Sequence, residues 1–172
     1  MDIFMEYIVK HKPAIKDRLL QVLIILGGVL LFIGVFFLLP YLASFGFIAL
    51  AGVIFLVYVL ASRFNVEYEY ILTENYLDID RIIAKRNRKR VVSLDLKEIG
   101  IFACVDDPMH KSEFENNTGI LKTLDCTGAH NMDIYFIDYS GDKGMTRVLF
   151  EPPTKFLDAA YKYNPRKIFK RQ

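Results

Sequence analysis

The spacing of apolar residues changes character twice along the chain. Residues 19–60 carry no Lys, Arg, Asp, Glu or His, and every charged residue lies outside that block. The first apolar run, Leu19–Leu39, has 21 residues. At about 1.5 Å per residue it spans about 31 Å as a helix, the thickness of a bilayer's hydrocarbon core. Pro40-Tyr41 interrupts it, and a second run of 20 residues, Leu42–Ala61, follows at once. So short a connection predicts an antiparallel hairpin of two transmembrane helices. A cleaved signal fits poorly, since secretory apolar regions are about 7–15 residues long. The small residues Ala43 and Ser44 also run directly into more apolar sequence.

Small residues recur within both runs: Gly27, Gly28 and Gly34 in the first, Ala43, Gly46, Ala49 and Gly52 in the second. Such residues let helix backbones approach closely. Gln21 and Ser44 are the strongly polar side chains here, and neither ionises. Pumps, channels and transporters place ionisable groups or broken helices at this depth, so the pattern predicts an anchor. Ahead of the first run, Ile3, Phe4, Tyr7 and Ile8 fall at helical spacing, and Pro13 separates them from it. Residues 2–18 therefore read either as an interfacial helix or as a frayed terminus.

From Asn65 onward the period becomes two. Val66, Tyr68, Tyr70 and Leu72 alternate with Glu67, Glu69 and Thr73, which predicts a half-buried strand with its glutamates outward. Glu74-Asn75 supplies a tight turn, and Leu77, Ile79 and Ile83 alternate with Asp78 and Asp80 as a second strand. Further strands are predicted at Val91–Leu94, Ile99–Val105, Ile120–Thr127, Met132–Tyr139 and Met145–Phe150, the last two joined by a loop over residues 140–144. Residues 106–119 are polar and turn-rich, an exposed loop. Pro152-Pro153 ends the sheet, and Thr154 would cap a closing helix whose stripe is Phe156, Leu157, Ala160 and Tyr161. The fold class expected is α+β: a transmembrane hairpin, then an antiparallel sheet or partly open barrel with a C-terminal helix. Its divisions are an N-terminal juxtamembrane segment (1–18), the hairpin (19–62) and a β-domain (63–172).

Net charge is only +2, so electrostatics must be local. Lys10, Lys12, Lys16 and Arg18 precede the hairpin, Arg63 and the run from Lys85 to Arg90 follow it, and residues 40–46 carry no charge. The positive-inside rule then puts both termini in the cytoplasm, for a multi-pass protein of the inner or plasma membrane.

The segment Tyr70–Ile99 resembles the opening of bacterial membrane-associated PH domains. Those share a pattern of Tyr-x-Leu-Thr, a short turn, Leu-x-Ile, a basic stretch and Val-x-Leu, directly after two transmembrane helices. The matching residues are Tyr70, Leu72, Thr73, Leu77, Ile79, Arg88, Val92, Leu94 and Ile99. The chain is also similar to a family of short clostridia-type membrane proteins of unknown function. The resemblance implies a PH-like fold. It does not carry over a phosphoinositide site, because the first loop of this segment, Glu74-Asn75, is acidic and short.

The chemical feature that stands out is Lys85, Arg86, Arg88, Lys89 and Arg90, five cations in six residues. Held near a leaflet, they would contact anionic lipid headgroups, each contributing about 1 kcal/mol; the plainer reading is a solvated hairpin tip. No aromatic or glycine pattern of a nucleic-acid reader accompanies them. A second basic patch, Arg166, Lys167, Lys170 and Arg171 around Ile168 and Phe169, would dangle or lie on the membrane. Cys126 and His130, near Asp125, supply two ligands where structural zinc needs four, and no motif announces a base or oxyanion hole for a thiol nucleophile. Asp106-Asp107 reads as a turn former. Neither metal nor cofactor is expected. The function expected is a non-enzymatic, membrane-anchored PH-like module that meets an unknown protein partner or an anionic lipid surface. The alternatives are a structural subunit of a larger membrane complex and, more remotely, an enzyme built on Cys126 and His130.

Overall fold

The structure, a computed structural model, describes residues 4–42, 45–128, 133–141 and 144–171, which form two compact units. One unit comprises Pro13–Val66 with Ile83–Asn87. Its helices are α1 (Ile15–Leu42) and α2 (Phe45–Ser62). Helix α1 continues through Pro40 instead of stopping before it; so near the end of a helix, a proline costs little more than one backbone hydrogen bond. Ala43 and Ser44 lie outside the described residues. A Cβ on Gly28 would sit 2.2 Å from Val57 Cγ2, and one on Gly46 would sit 2.4 Å from Leu39 Cδ2. These two glycines therefore permit the close approach, and the contacts run in opposite directions along the two helices. The pair is antiparallel, with the start of α1 and the end of α2 at one end. No residue of α1 and only Gly46 of α2 is buried. Both helices are long and apolar enough to cross a membrane, and their uncovered leucines and phenylalanines match a lipid solvent.

The other unit comprises Met1–Lys12, Glu67–Ile82 and Arg88–Gln172. It holds two four-stranded sheets. In the first, β1 (Phe4–Lys10), β2 (Val66–Thr73), β3 (Tyr76–Ile83) and β4 (Asn87–Asp95) lie side by side in that order. Strand β1 pairs antiparallel with β2, Tyr7 opposite Tyr70 and Ile8 opposite Glu69. The interfacial helix or frayed terminus expected for this segment is thereby corrected. Met5, Tyr7 and Val9 also fit a period of two, and the pairing with β2 decides between the two periods.

The second sheet contains β5 (Ile101–Cys104), β6 (Ile120–Asp125), β7 (Tyr135–Gly141) and β8 (Gly144–Phe150), ordered β5-β7-β8-β6. Strands β5 and β7, and β7 and β8, pair antiparallel, but β6 runs parallel to β8. That one parallel contact departs from the all-antiparallel expectation. The sheets are not closed into a barrel. Helix α3 (Lys111–Glu115) lies within the segment expected to be an exposed loop, and α4 (Thr154–Tyr161) closes the fold. Pro153, not Thr154, occupies the N-cap position of α4, and no side chain caps it. The stripe Phe156, Leu157 and Ala160 is buried as expected, whereas Tyr161 stays partly exposed.

The core lies between the sheets. Tyr70 is its centre, fully buried, with its ring edge-on to Phe150 at 5.4 Å. Its hydroxyl donates to the Cys126 carbonyl at 2.6 Å and accepts the Glu151 N–H at 3.2 Å. One phenol thus ties β2 to the chain flanking β6 and β8. Phe102, Phe136, Phe156 and Ile168 complete the packing. Residues at the C-terminus are not loose. Phe102 donates its N–H to the Lys167 carbonyl and accepts the Phe169 N–H, both at 2.8 Å. Lys170 pairs with Asp158 and Arg171 with Asp133. The dangling tail is corrected, because its backbone pairs with Phe102 and two of its four cations, Lys170 and Arg171, have carboxylate partners within the β-unit.

Candidate functional site

The basic cluster begins in the turn between β3 and β4. Ala84 and Lys85 both take positive φ, 54° and 56°, and Arg86 donates its N–H to the Ile83 carbonyl at 3.1 Å. Two left-handed residues in succession bend the chain as a two-residue hairpin requires. The turn is also pinned from the side: Ala84 donates its N–H to the Asn65 carbonyl at 2.8 Å, three residues beyond the end of α2. Lys85 and Arg86 therefore belong to the helical unit. Both are exposed, as are Lys16 and Arg18 in the first turn of α1 and Arg63 just past α2. Because the helices are antiparallel, one end of the pair carries five cations against the single acid Asp17.

The five clustered cations are not alike. Arg88 Nη2 lies 2.7 Å from Glu69 Oε2 and 2.9 Å from Oε1. Arg90 pairs with Asp78 at 2.6 Å and, through Nε, with Asp80. Among the described residues Lys85, Arg86 and Lys89 make no ion pair. The sequence reading treats all five as available to a ligand; the structure gives two of them internal partners.

Those partners were expected on a solvated face, yet Glu69 is 0% exposed and Asp80 3%. Strand β2 lies inside the sheet, flanked by β1 and β3, and Arg88 closes over Glu69. Burial, then the hydrogen bond with the neighbouring Glu6 carboxyl, pushes Glu69 up to about 7, against the pull of Arg88. Alternation marked Glu67 and Glu69 as sharing a face but carried no sign of β1, without which neither is covered.

The other turn on β3 has a different fate. Leu96 donates its N–H to the Asn75 carbonyl at 2.8 Å, and Asn75 Nδ2 donates to Asp95 Oδ1 at 2.7 Å. Glu74-Asn75 is thus tied to the end of β4. Its acidity and its closure both leave it without the features of an anion site.

The remaining candidates divide cleanly. Cys126 is 1% exposed, and burial, followed by the charge of Asp125, pushes its thiol up to about 12. A thiol in that state holds its proton at neutral pH and is a poor nucleophile or ligand. His130 lies outside the described residues. Among the described residues no group of three or more His, Cys, Asp or Glu side chains could hold a metal ion. Asp107 accepts the Met109 N–H at 3.0 Å, the turn-forming role expected of it. Arg147 gives no signal in the sequence. Its guanidinium is bidentate to Asp138, 2.7 Å in each contact. It also donates to the Phe114 carbonyl, to the Glu113 carbonyl at 3.0 Å and to Asn117 Oδ1 at 3.1 Å. These bonds hold the 106–119 segment on the second sheet.

The family described as "Bacterial PH-like domain (DUF6106)" matches residues 1–170. The match therefore takes in β1 and both apolar helices along with the two sheets. No curated protein and no solved structure matches the chain.

Proposed function

Because the chain belongs to this bacterial PH-like domain family, we propose that it is a non-enzymatic, membrane-anchored PH-like module whose basic collar engages anionic lipid headgroups at the cytoplasmic face. The observation that carries the reading is the pinning of the Lys85–Arg86 turn to Asn65 at the end of α2. That bond keeps two exposed cations at the helix exit, level with the headgroups if the helices span the bilayer. Lys16, Arg18 and Arg63 add to the same collar. Surface cations of this kind each contribute about 1 kcal/mol toward an anionic leaflet.

The pairing of β1 with β2 supports the topology. These strands flank the helix pair in sequence and lie in one sheet, which supports a chain that enters and leaves the membrane on one side. An even number of crossings accords with that pairing, and the positive-inside rule supports the cytoplasmic side. The test uses full-length protein in nanodiscs of mixed phosphatidylcholine and phosphatidylglycerol, with the lipids retained through detergent extraction quantified. Enrichment of phosphatidylglycerol that falls in Lys85→Gln/Arg86→Gln supports the reading; an identical lipid ratio in variant and wild type defeats it.

A second reading, a structural subunit of a larger membrane complex, is favoured by Gly27, Gly34 and Gly52. A Cβ at any of these would meet nothing within 4 Å, so these positions leave room for another helix to pack. Mass measurement in native detergent discriminates: a monomer without co-purifying protein opposes this reading.

A further inference from the structure

The outer face of the first sheet, turned away from Tyr70, carries a set of charges that the collar does not use. Glu69 lies at its centre. Strand β1 offers Glu6, two residues from the Ile8 that lies opposite Glu69 and a like charge beside it, and β2 itself offers Glu67, opposite Lys10. Asp80 on β3 adds a like charge near Glu69 but is itself paired with Arg90. Arg88 on β4 is the cation that contacts Glu69, and the pair is lopsided. The Glu69 side chain is 0% exposed while that of Arg88 is 54% exposed. One end is locked in the sheet and the other already faces solvent, beside the unpaired Lys89.

We propose that Glu69 is a proton-operated latch on Arg88: when Glu69 takes up a proton it shares hydrogen bonding with Glu6, and Arg88 is released to join the already exposed Lys89 at an anionic phosphate group of the lipid surface. The proposal rests on the lipid-surface reading above for its ligand and on the sheet geometry for its switch. Three carboxylates converge where only one arginine touches Glu69, and removing one negative charge relieves the repulsion from Glu6 and Asp80 at the same time. Hydrogen bonding between two carboxyl groups requires that one of them hold a proton. Burial pushes Glu69 up to about 7, so its protonated fraction rises as the pH falls from 8 to 6.

Arg88 follows Arg86 by two residues in sequence. One extra cation at an anionic surface raises affinity about fivefold.

The experiment uses the full-length chain in nanodiscs with and without phosphatidylglycerol. Two readouts are followed from pH 8 to pH 6: the nitrogen resonances of the Arg88 side chain and the retained phosphatidylglycerol. In the wild type both should change through neutrality, with severalfold higher retention at pH 6. Glu69→Gln should show the pH 6 behaviour at pH 8, and Arg88→Gln should lose the pH response while keeping the retention due to Lys85 and Arg86. If Glu69→Gln follows the wild-type pH profile, the latch is overturned even though the collar stands. If phosphatidylglycerol retention ignores Lys85→Gln/Arg86→Gln and Arg88 still responds to pH, the lipid reading falls and the switch has no lipid outlet. Inorganic phosphate added to neutral nanodiscs identifies the anion. An Arg88 shift there, absent with phosphatidylglycerol, would make the ligand a soluble phosphate and overturn the lipid assignment.

Discussion

Two arginine–carboxylate pairs, one on each sheet, obey the same Coulomb law and do opposite things. Arg147 and Asp138 have side chains 3% and 10% exposed, and the guanidinium is further held by backbone carbonyls of α3 and by the rings of Phe114 and Phe136 at 5.2 and 5.0 Å. Every direction around that cation is taken. Arg88 and Glu69 are as close in distance, yet the arginine is half in solvent and the glutamate lies beside the like charge of Glu6. A cation enclosed on all sides acts as a rivet. One enclosed on a single side, opposite an acid that is reluctant to ionise, can be exchanged. The difference lies in burial and in the number of competing acids; the bond lengths are alike.

The largest effect that would sharpen this contrast is at the rivet. Arg147→Ala leaves Asp138 buried and unpaired and cuts the 106–119 segment from the sheet. We expect a loss of about 3–5 kcal/mol, read by denaturant unfolding of the β-unit, with fast amide exchange over residues 110–117. The double change Arg147→Met/Asp138→Leu should recover much of it. If the single change is silent, the rivet is misassigned.

Next is the pH dependence at Glu69. Its folded pKa is raised above the unfolded value, so folding favours the protonated acid. The associated stability is complete below the unfolded pKa near 4.5 and is lost as pH rises through about 7. The wild-type β-unit should therefore weaken between pH 5 and pH 8, roughly the interval between those two values. Glu69→Gln should flatten the curve and be the more stable at pH 8, by about 2 kcal/mol. A parallel curve for the variant would count against the buried carboxyl pair.

Tyr70→Phe supplies the uncharged counterpart, equally buried but with no ion to compensate. Losing its hydroxyl leaves the Cys126 carbonyl and the Glu151 N–H without that partner, for about 1–2 kcal/mol, measurable by the same unfolding with no pH dependence. The smallest effect belongs to the collar. Lys85→Gln/Arg86→Gln should change stability by less than about 0.5 kcal/mol while lowering phosphatidylglycerol retention. A large stability loss there would mean that these side chains hold the fold instead of a lipid.

Much of the architecture was legible because it rests on local periodicity. The apolar runs, the alternation of Tyr70, Leu72, Leu77 and Ile79, the hairpin of β7 and β8, and the buried stripe of α4 each repeat at a spacing that a single element imposes. The five cations were legible as a cluster for the same reason. Illegible were the contacts that join distant segments. Strand β1 pairs with residues about 60 positions later, and a seven-residue segment that suits both periods does not announce its partner. The parallel entry of β6, the binding of the C-terminal segment to Phe102, and the docking of α3 on Arg147 are decisions of the same kind.

What the sequence determined by itself is the division of the chain by solvent: an uncharged stretch long enough for lipid, a two-period stretch suited to sheets, and positive charge gathered on the flanks of the first. Hydropathy and periodicity are properties of consecutive residues, so they survive without coordinates. What only the tertiary structure decided is which charges are neutralised. Among the described residues, two of the five clustered cations are partnered and three are not, because β2 and β3 bring Glu69, Asp78 and Asp80 to Arg88 and Arg90, and the energy of a charge depends on what surrounds it in space.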